Sequence, residues 1–104
     1  MRFVSNRDIA MGVDDLRKAE VFYSDVLVFN LLERESDRLV YDPGHFTLYV
    51  NDRESHPPVP SFTVQDLQEA KRLPIENRCE ITVGQVRSLY FKDPFSIVYD
   101  VIER

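Results

Sequence analysis

Few side chains in this sequence have the types and spacing for catalytic or ligating chemistry. Cys79 is the only cysteine, and His45 and His56 are the only histidines. A single cysteine forms no intrachain disulfide and builds no multi-cysteine zinc site. His56 lies in the proline-rich stretch NDRESHPPVP, residues 51–60, with no second histidine or cysteine near it. It reads as a solvated linker residue. His45 follows Asp42-Pro43-Gly44, a turn signal built on the fixed φ of proline and the freedom of glycine. It reads as a turn residue, the better placed of the two for a pocket rim. No nucleophile elbow, phosphate-cradling glycine loop or cysteine–histidine pair occurs. What remains are carboxylates and phenols. In residues 97–103, Asp100 is the polar exception on its strand face, while Tyr99 has the opposite parity. A carboxylate so placed pairs with a cation, or acts as a base if its pKa is shifted and a substrate lies within reach.

The elements that must position these groups repeat. Val13, Asp15, Leu16 and Ala19 recur as Val64, Asp66, Leu67 and Ala70, and Asp42-Pro43 recurs as Asp93-Pro94, both 51 positions later. Two separate matches at one offset point to an internal duplication. Residues 3–13 alternate, with Ile9, Met11 and Val13 on one face, and predict a strand. Asp14 or Asp15 then caps a helix over 13–27. Leu16, Ala19, Phe22, Tyr23, Val26 and Leu27 form its apolar stripe, and Val21 falls opposite. Three short strands follow, at 28–33, 39–41 and 46–50, and residues 51–60 read as a linker. The second half predicts a strand over 59–64 and a helix that Asp66 caps with Glu69 in capping-box position. Pro74 is expected to end that helix early. Strands at 80–83, 86–92 and 97–103 complete it, with a tight turn at Gly84-Gln85. The expected fold is α+β: two βαβββ modules, residues 1–51 and 58–104, in one domain of 104 residues.

Two stretches carry a family resemblance: IAMGVDDLRKAEVFYSDVLVF, residues 9–29, and KDPFSIVYDVIE, residues 92–103. They resemble the glyoxalase I, bleomycin-resistance and extradiol dioxygenase superfamily, the vicinal oxygen chelate fold. Val13, Asp15, Leu16, Phe22, Tyr23, Leu27 and Phe29 fit its first motif, with Val28 in place of the usual glycine. Asp93 and Pro94 fit the second, with Ser96 at the glycine position. The resemblance implies curved half-barrel sheets around a cleft. It also places the usual metal-ligand positions on Asp8, Val59, Asp100 and either Tyr49 or Thr47. Val59 donates nothing, and neutral Tyr or Thr is a weak ligand, so no metal site or other cofactor is expected.

The first functional reading is therefore a metal-independent small-molecule-binding protein of the glyoxalase and bleomycin-resistance type. Asp8, Tyr49, Val59 and Asp100 would line its site, no residue would be catalytic, and an aromatic or cationic ligand would suit them. A lyase, isomerase or dioxygenase of the same superfamily is the alternative. A structural or regulatory dimer with a closed cleft is the third. A homodimer is expected in each case. A net charge of -5 with scattered basic residues disfavours nucleic acid as a partner. No stretch is long and apolar enough to span a membrane, and none at the start reads as a secretory signal, so a cytoplasmic protein is expected.

Overall fold

The computed structural model describes residues 2–84 and 87–104, the side chain of Val83 apart. The elements run β1 (Val4–Val13), α1 (Leu16–Glu20) with a π-helical continuation (Val21–Val26), β2 (Asn30–Arg34), β3 (Arg38–Asp42) and β4 (Thr47–Asp52). Then come β5 (His56–Val64), α2 (Leu67–Glu76), β6 (Glu80–Gly84), β7 (Ser88–Lys92) and β8 (Val98–Glu103). The expected βαβββ order occurs twice. The expected turn at Gly84-Gln85 and the start of the 86–92 strand lie outside the described residues.

Two compact units divide the chain. The first is Arg7–Pro58; the second joins residues 2–6 to Val59–Arg104. The first unit orders its strands β2-β3-β4-β1, and the second β5-β8-β7-β6. In each, the first strand pairs in parallel with the last and the other pairings are antiparallel. The duplication is visible in single hydrogen bonds. Val13 C=O accepts from Arg53 N at 3.1 Å, and Val64 C=O from Arg104 N at 3.0 Å. Asp42 Oδ1 accepts from Gly44 N, and Asp93 Oδ1 from Phe95 N, both at 2.9 Å. Met11 pairs with Val50 as Phe62 pairs with Val101. Even left-handed backbone recurs: Val28 (φ 57°) matches Arg78 (φ 68°), and His45 (φ 68°) matches Ser96 (φ 69°). The two positions where the resemblance expects glycine, Val28 and Ser96, thus keep a glycine-like backbone without the glycine.

Each unit buries one sheet face under its helix. Leu39, Tyr41, Leu48 and Val50 pack with Ala19 in the first, and Leu89, Phe91 and Val101 with Leu67 and Ala70 in the second. Ile9, Met11 and Val13 face the first core, as their parity requires. Fully burying one such aliphatic side chain is worth about 1.5–3 kcal/mol.

Three local expectations need correction. The predicted helix over 13–27 is α-helical only to Glu20. Beyond it Leu27 N donates to Phe22 C=O at 3.0 Å, five residues back. Bonding at that spacing adds a residue per turn and rotates the stripe. Leu16, Ala19 and Tyr23 still face the core, but Phe22, Val26 and Leu27 are exposed at 47, 61 and 45%. The second helix passes Pro74 and runs to Glu76. Pro74 sits in the last turn, where Asn77 Nδ2 caps Leu73 C=O at 2.7 Å. Its cap is as expected: Asp66 Oδ1 accepts from Gln68 N and Glu69 N. The stretch read as a linker is mostly strand. β4 ends at Asp52 and β5 starts at His56, leaving residues 53–55 as the connection. His56 is accordingly half-buried rather than solvated. Its ring lies where a Cβ on Gly12 would meet its Cδ2 at 2.6 Å.

Candidate functional site

The polar residues of interest lie on the sheet faces turned away from the helices. In the second unit, Tyr99 and Val101 belong to the helix-side core, so Asp100, between them, points to the other face. Parallel pairing sets Ser61 of β5 directly beside Asp100, and antiparallel pairing sets Tyr90 of β7 on its other side. Ser61 is 3% exposed. Asn6 Nδ2 donates to Ser61 Oγ at 2.8 Å, and Ser61 Oγ donates to Asp100 Oδ2 at 3.1 Å. The carboxylate is thus held by a buried hydroxyl whose own lone pair is engaged. Val59, expected beside Asp100 in a site, has the parity of Ser61 and is 3% exposed.

In the first unit, Asp8 pairs with Thr47, and Tyr49 stands between Ala10 and Val40. The guanidinium carbon of Arg38 lies 5.5 Å from the Tyr49 ring centroid. Glu35 holds that guanidinium by an ion pair and raises its pKa, against a smaller desolvation effect. A cation of the protein thus lies over one face of the Tyr49 ring. The four residues singled out in the sequence therefore fall as Asp8 and Tyr49 on one unit, Val59 and Asp100 on the other. His45 is an exposed turn residue.

Asn6, Ser61, Tyr90 and Arg38 escaped the sequence reading. Ser61 is 39 positions from Asp100, and only strand pairing makes them neighbours. One signal was available: Ser61 stands 51 positions after Ala10, which pairs with Tyr49, the repeat partner of Asp100.

The donor set does not fit a metal centre of the kind the resemblance implies. Val59 is a buried hydrocarbon at a ligand position, and Asp100 is engaged by Ser61. Among the described residues, no three His, Cys, Asp or Glu side chains gather so as to hold a metal ion. Among the described residues, two cavities lie against the second unit's helix and strands. One, of about 650 Å³, opens beside the start of α2 among Arg2, Arg104, Asp66 and Glu69, with Thr63 Oγ1 buried and unpartnered. The other, of about 290 Å³, is aromatic and lies on the helix side of the sheet. Near it, Asp93 is desolvated, which raises its pKa. The donors Ile97 N, Tyr99 Oη and Phe95 N outweigh this and leave its carboxyl below the ordinary value.

No protein-family model and no curated protein matches the sequence. Solved structures do. The Mn(II)-bound glyoxalase from Novosphingobium aromaticivorans superposes with TM-score 0.66 over 98% of this chain, at 16% identity. An extradiol ring-cleaving dioxygenase from B. fuscum does so with TM-score 0.64 over 98%, at 19% identity. The chain has the vicinal oxygen chelate fold. It spans 39% of that glyoxalase and 33% of that dioxygenase. The NAD-dependent benzaldehyde dehydrogenase from Legionella pneumophila is similar over 91% of this chain and 96% of its own, with TM-score 0.70 and 17% identity. At these identities the likeness is one of fold, and the vicinal oxygen chelate framework is what it establishes. Among the described residues, no helix is long and apolar enough to cross a membrane.

Proposed function

We propose that the chain is a metal-independent small-molecule-binding protein of the glyoxalase and bleomycin-resistance type, which presents the Asp100 face of its second unit to an aromatic cation. The observation that carries this reading is the Asn6–Ser61–Asp100 chain. A carboxylate oriented by a buried hydroxyl is already organised for its partner, so less is lost in ordering it on binding. Val59 adds hydrocarbon on the same strand face and no donor. In the first unit, Asp8 and Tyr49 hold the corresponding positions of their own sheet, 51 residues before Val59 and Asp100. Arg38 covers one side of Tyr49 there, and in the second unit charge recognition rests on Asp100. The similarly folded proteins named for benzaldehyde and for ring cleavage are in keeping with an aromatic guest.

The reading includes a homodimer, supported by Phe22, Val26 and Leu27, which expose 47, 61 and 45% of their surface on one segment. Pairing would cover them. Sedimentation that finds only monomer up to high micromolar concentration removes that part. The binding itself is tested by calorimetric titration with benzyltrimethylammonium. Asp100→Asn should weaken it by roughly tenfold, which is about 1.4 kcal/mol. Thermal melting reports whether the variant remains folded. Unchanged affinity in a folded Asp100→Asn protein overturns the assignment of Asp100.

A further inference from the structure

The two units differ at one position beneath their helices. Tyr23 and Pro74 are 51 positions apart and stand equally far along their helical segments. In the first unit the Tyr23 ring fills the space under the helix. It stacks on Phe29 with centroids 6.0 Å apart and lies 5.9 Å from Tyr41. Its hydroxyl donates to Met11 Sδ at 3.6 Å. Each wall of this slot has a counterpart in the second unit. Phe62 takes the place of Met11, Phe91 that of Tyr41, and Cys79, just before β6, that of Phe29, just before β2. The plug has no counterpart. Pro74 has no aromatic ring to extend into the slot, and the cavity of about 290 Å³ lies there, lined by Phe3, Phe62, Pro74, Cys79, Phe91 and Tyr99 among others.

We infer that this slot is a second ligand site, which takes a neutral one-ring aromatic molecule in the position that Tyr23 fills in the first unit. The volume suits it: a cavity of about 150 Å³ lined by apolar side chains already accepts benzene. So do the walls. Phe91 and Tyr99 stack at 5.2 Å, Phe62 tilts against Tyr99 at 5.8 Å, and Phe3 meets Phe91 edge-on at 6.3 Å. They offer both faces and edges to a further ring. The polar groups at its margin are committed. Tyr99 Oη donates to Asp93 Oδ2 at 2.9 Å, and Asn77 Nδ2 donates to Leu73 C=O. The Cys79 thiol is kept protonated, its pKa raised by desolvation and then by Asp93. The nearest charge, Asp93, is already held by Tyr99 Oη and backbone N–H groups, so a charged ring would lose hydration there without gaining a partner. The slot lies on the opposite sheet face from Asp100, so it does not depend on the function proposed above.

The test uses p-cresol, which is the tyrosine side chain as a free molecule, and the full chain. Cys79 is the only cysteine, so its alkylation by iodoacetamide reports occupancy. Cresol should slow alkylation saturably, roughly tenfold at about ten times its Kd, since protection follows 1 + [L]/Kd. The charged analogue p-toluate should not. Pro74→Tyr, which supplies the missing ring covalently, should abolish the cresol effect. Should that variant not fold, intermolecular nuclear Overhauser effects in the unaltered chain decide: the cresol methyl should contact the Phe62 and Tyr99 rings. Absence of saturable protection, equal protection by p-toluate, or contacts confined to other residues each overturn the inference. So does alkylation that slows with protein concentration alone, which would assign the slot to a second copy of the chain.

Discussion

Tyr23 in the first unit and Pro74 in the second occupy the same place in the same framework. One fills its core from within, and the other leaves a cavity of about 290 Å³. The neighbouring contrasts run in parallel. Gly12 in β1 has Thr63 as its counterpart in β5, and Asp8 has Val59. Strand pairing is held through the duplication, with left-handed residues at two pairs of matching places, while the helical segment, side-chain volume and charge have diverged. Strand pairing and turns thus tolerate different fillings, and the fillings decide what each unit can bind.

The strongest way to break this comparison is to remove the plug. Tyr23→Ala should cost about 2–4 kcal/mol, since lost transfer energy and a new cavity add. Pro74→Ala should cost less than about 1 kcal/mol, because an alanine relieves a helical proline. Urea titration of both variants measures the difference. Equal costs would show that the two slots are not equivalent.

Gly12 sharpens it next. A Cβ there would meet Glu54 C=O at 2.5 Å and the His56 ring at 2.6 Å. Gly12→Ala should destabilise by about 1–3 kcal/mol. At the matching position Thr63→Val should be neutral or stabilising, since it removes a buried hydroxyl oxygen that has no partner. A destabilised Thr63→Val protein would mean that the hydroxyl is engaged in solution.

The left-handed pair gives a smaller effect of opposite sign. Val28→Gly should stabilise by about 1 kcal/mol, because a β-branched residue at positive φ is strained. Arg78→Gly should gain less, since Arg lacks the second branch at Cβ. Thermal melts order the two variants, and a Val28→Gly protein that melts lower would contradict the strain.

The smallest effect concerns acid. Asp93 has its carboxyl pKa depressed in the fold. Its contribution to stability is therefore present above the unfolded value, about 3.9, and is lost as pH falls through the lower folded value. Asp93→Asn should lower stability at neutral pH and flatten the acid limb in that window. Denaturant midpoints from pH 2 to 6 check it, and an unchanged slope would argue against the bonds from Ile97, Tyr99 and Phe95.

The fold was legible because duplication and capping leave local marks. The repeated Val-x-Asp-Leu, the caps at Asp15 and Asp66, and strand alternation all sit within a few residues of what they specify. The helix face was less legible: the π-helical bond of Leu27 to Phe22 changes the period after Val21, and no residue type announces it. The prolines at 57, 58 and 60 suggested a linker, yet β5 includes them. A strand start tolerates missing donors. Asp8, Tyr49, Val59 and Asp100 were legible as positions only. Their neighbours Ser61 and Arg38 depend on contacts between paired strands, 39 and 11 residues apart along the chain, which periodicity does not encode.

Binding without metal chemistry is tested most directly by measuring metal content and turnover together, on the full chain purified without chelator. The expected result is far less than one manganese, iron, nickel or zinc per chain. Neither a vicinal-dicarbonyl nor a catechol substrate should turn over before or after metal addition, while benzyltrimethylammonium still binds. Stoichiometric transition metal together with metal-dependent turnover would contradict it.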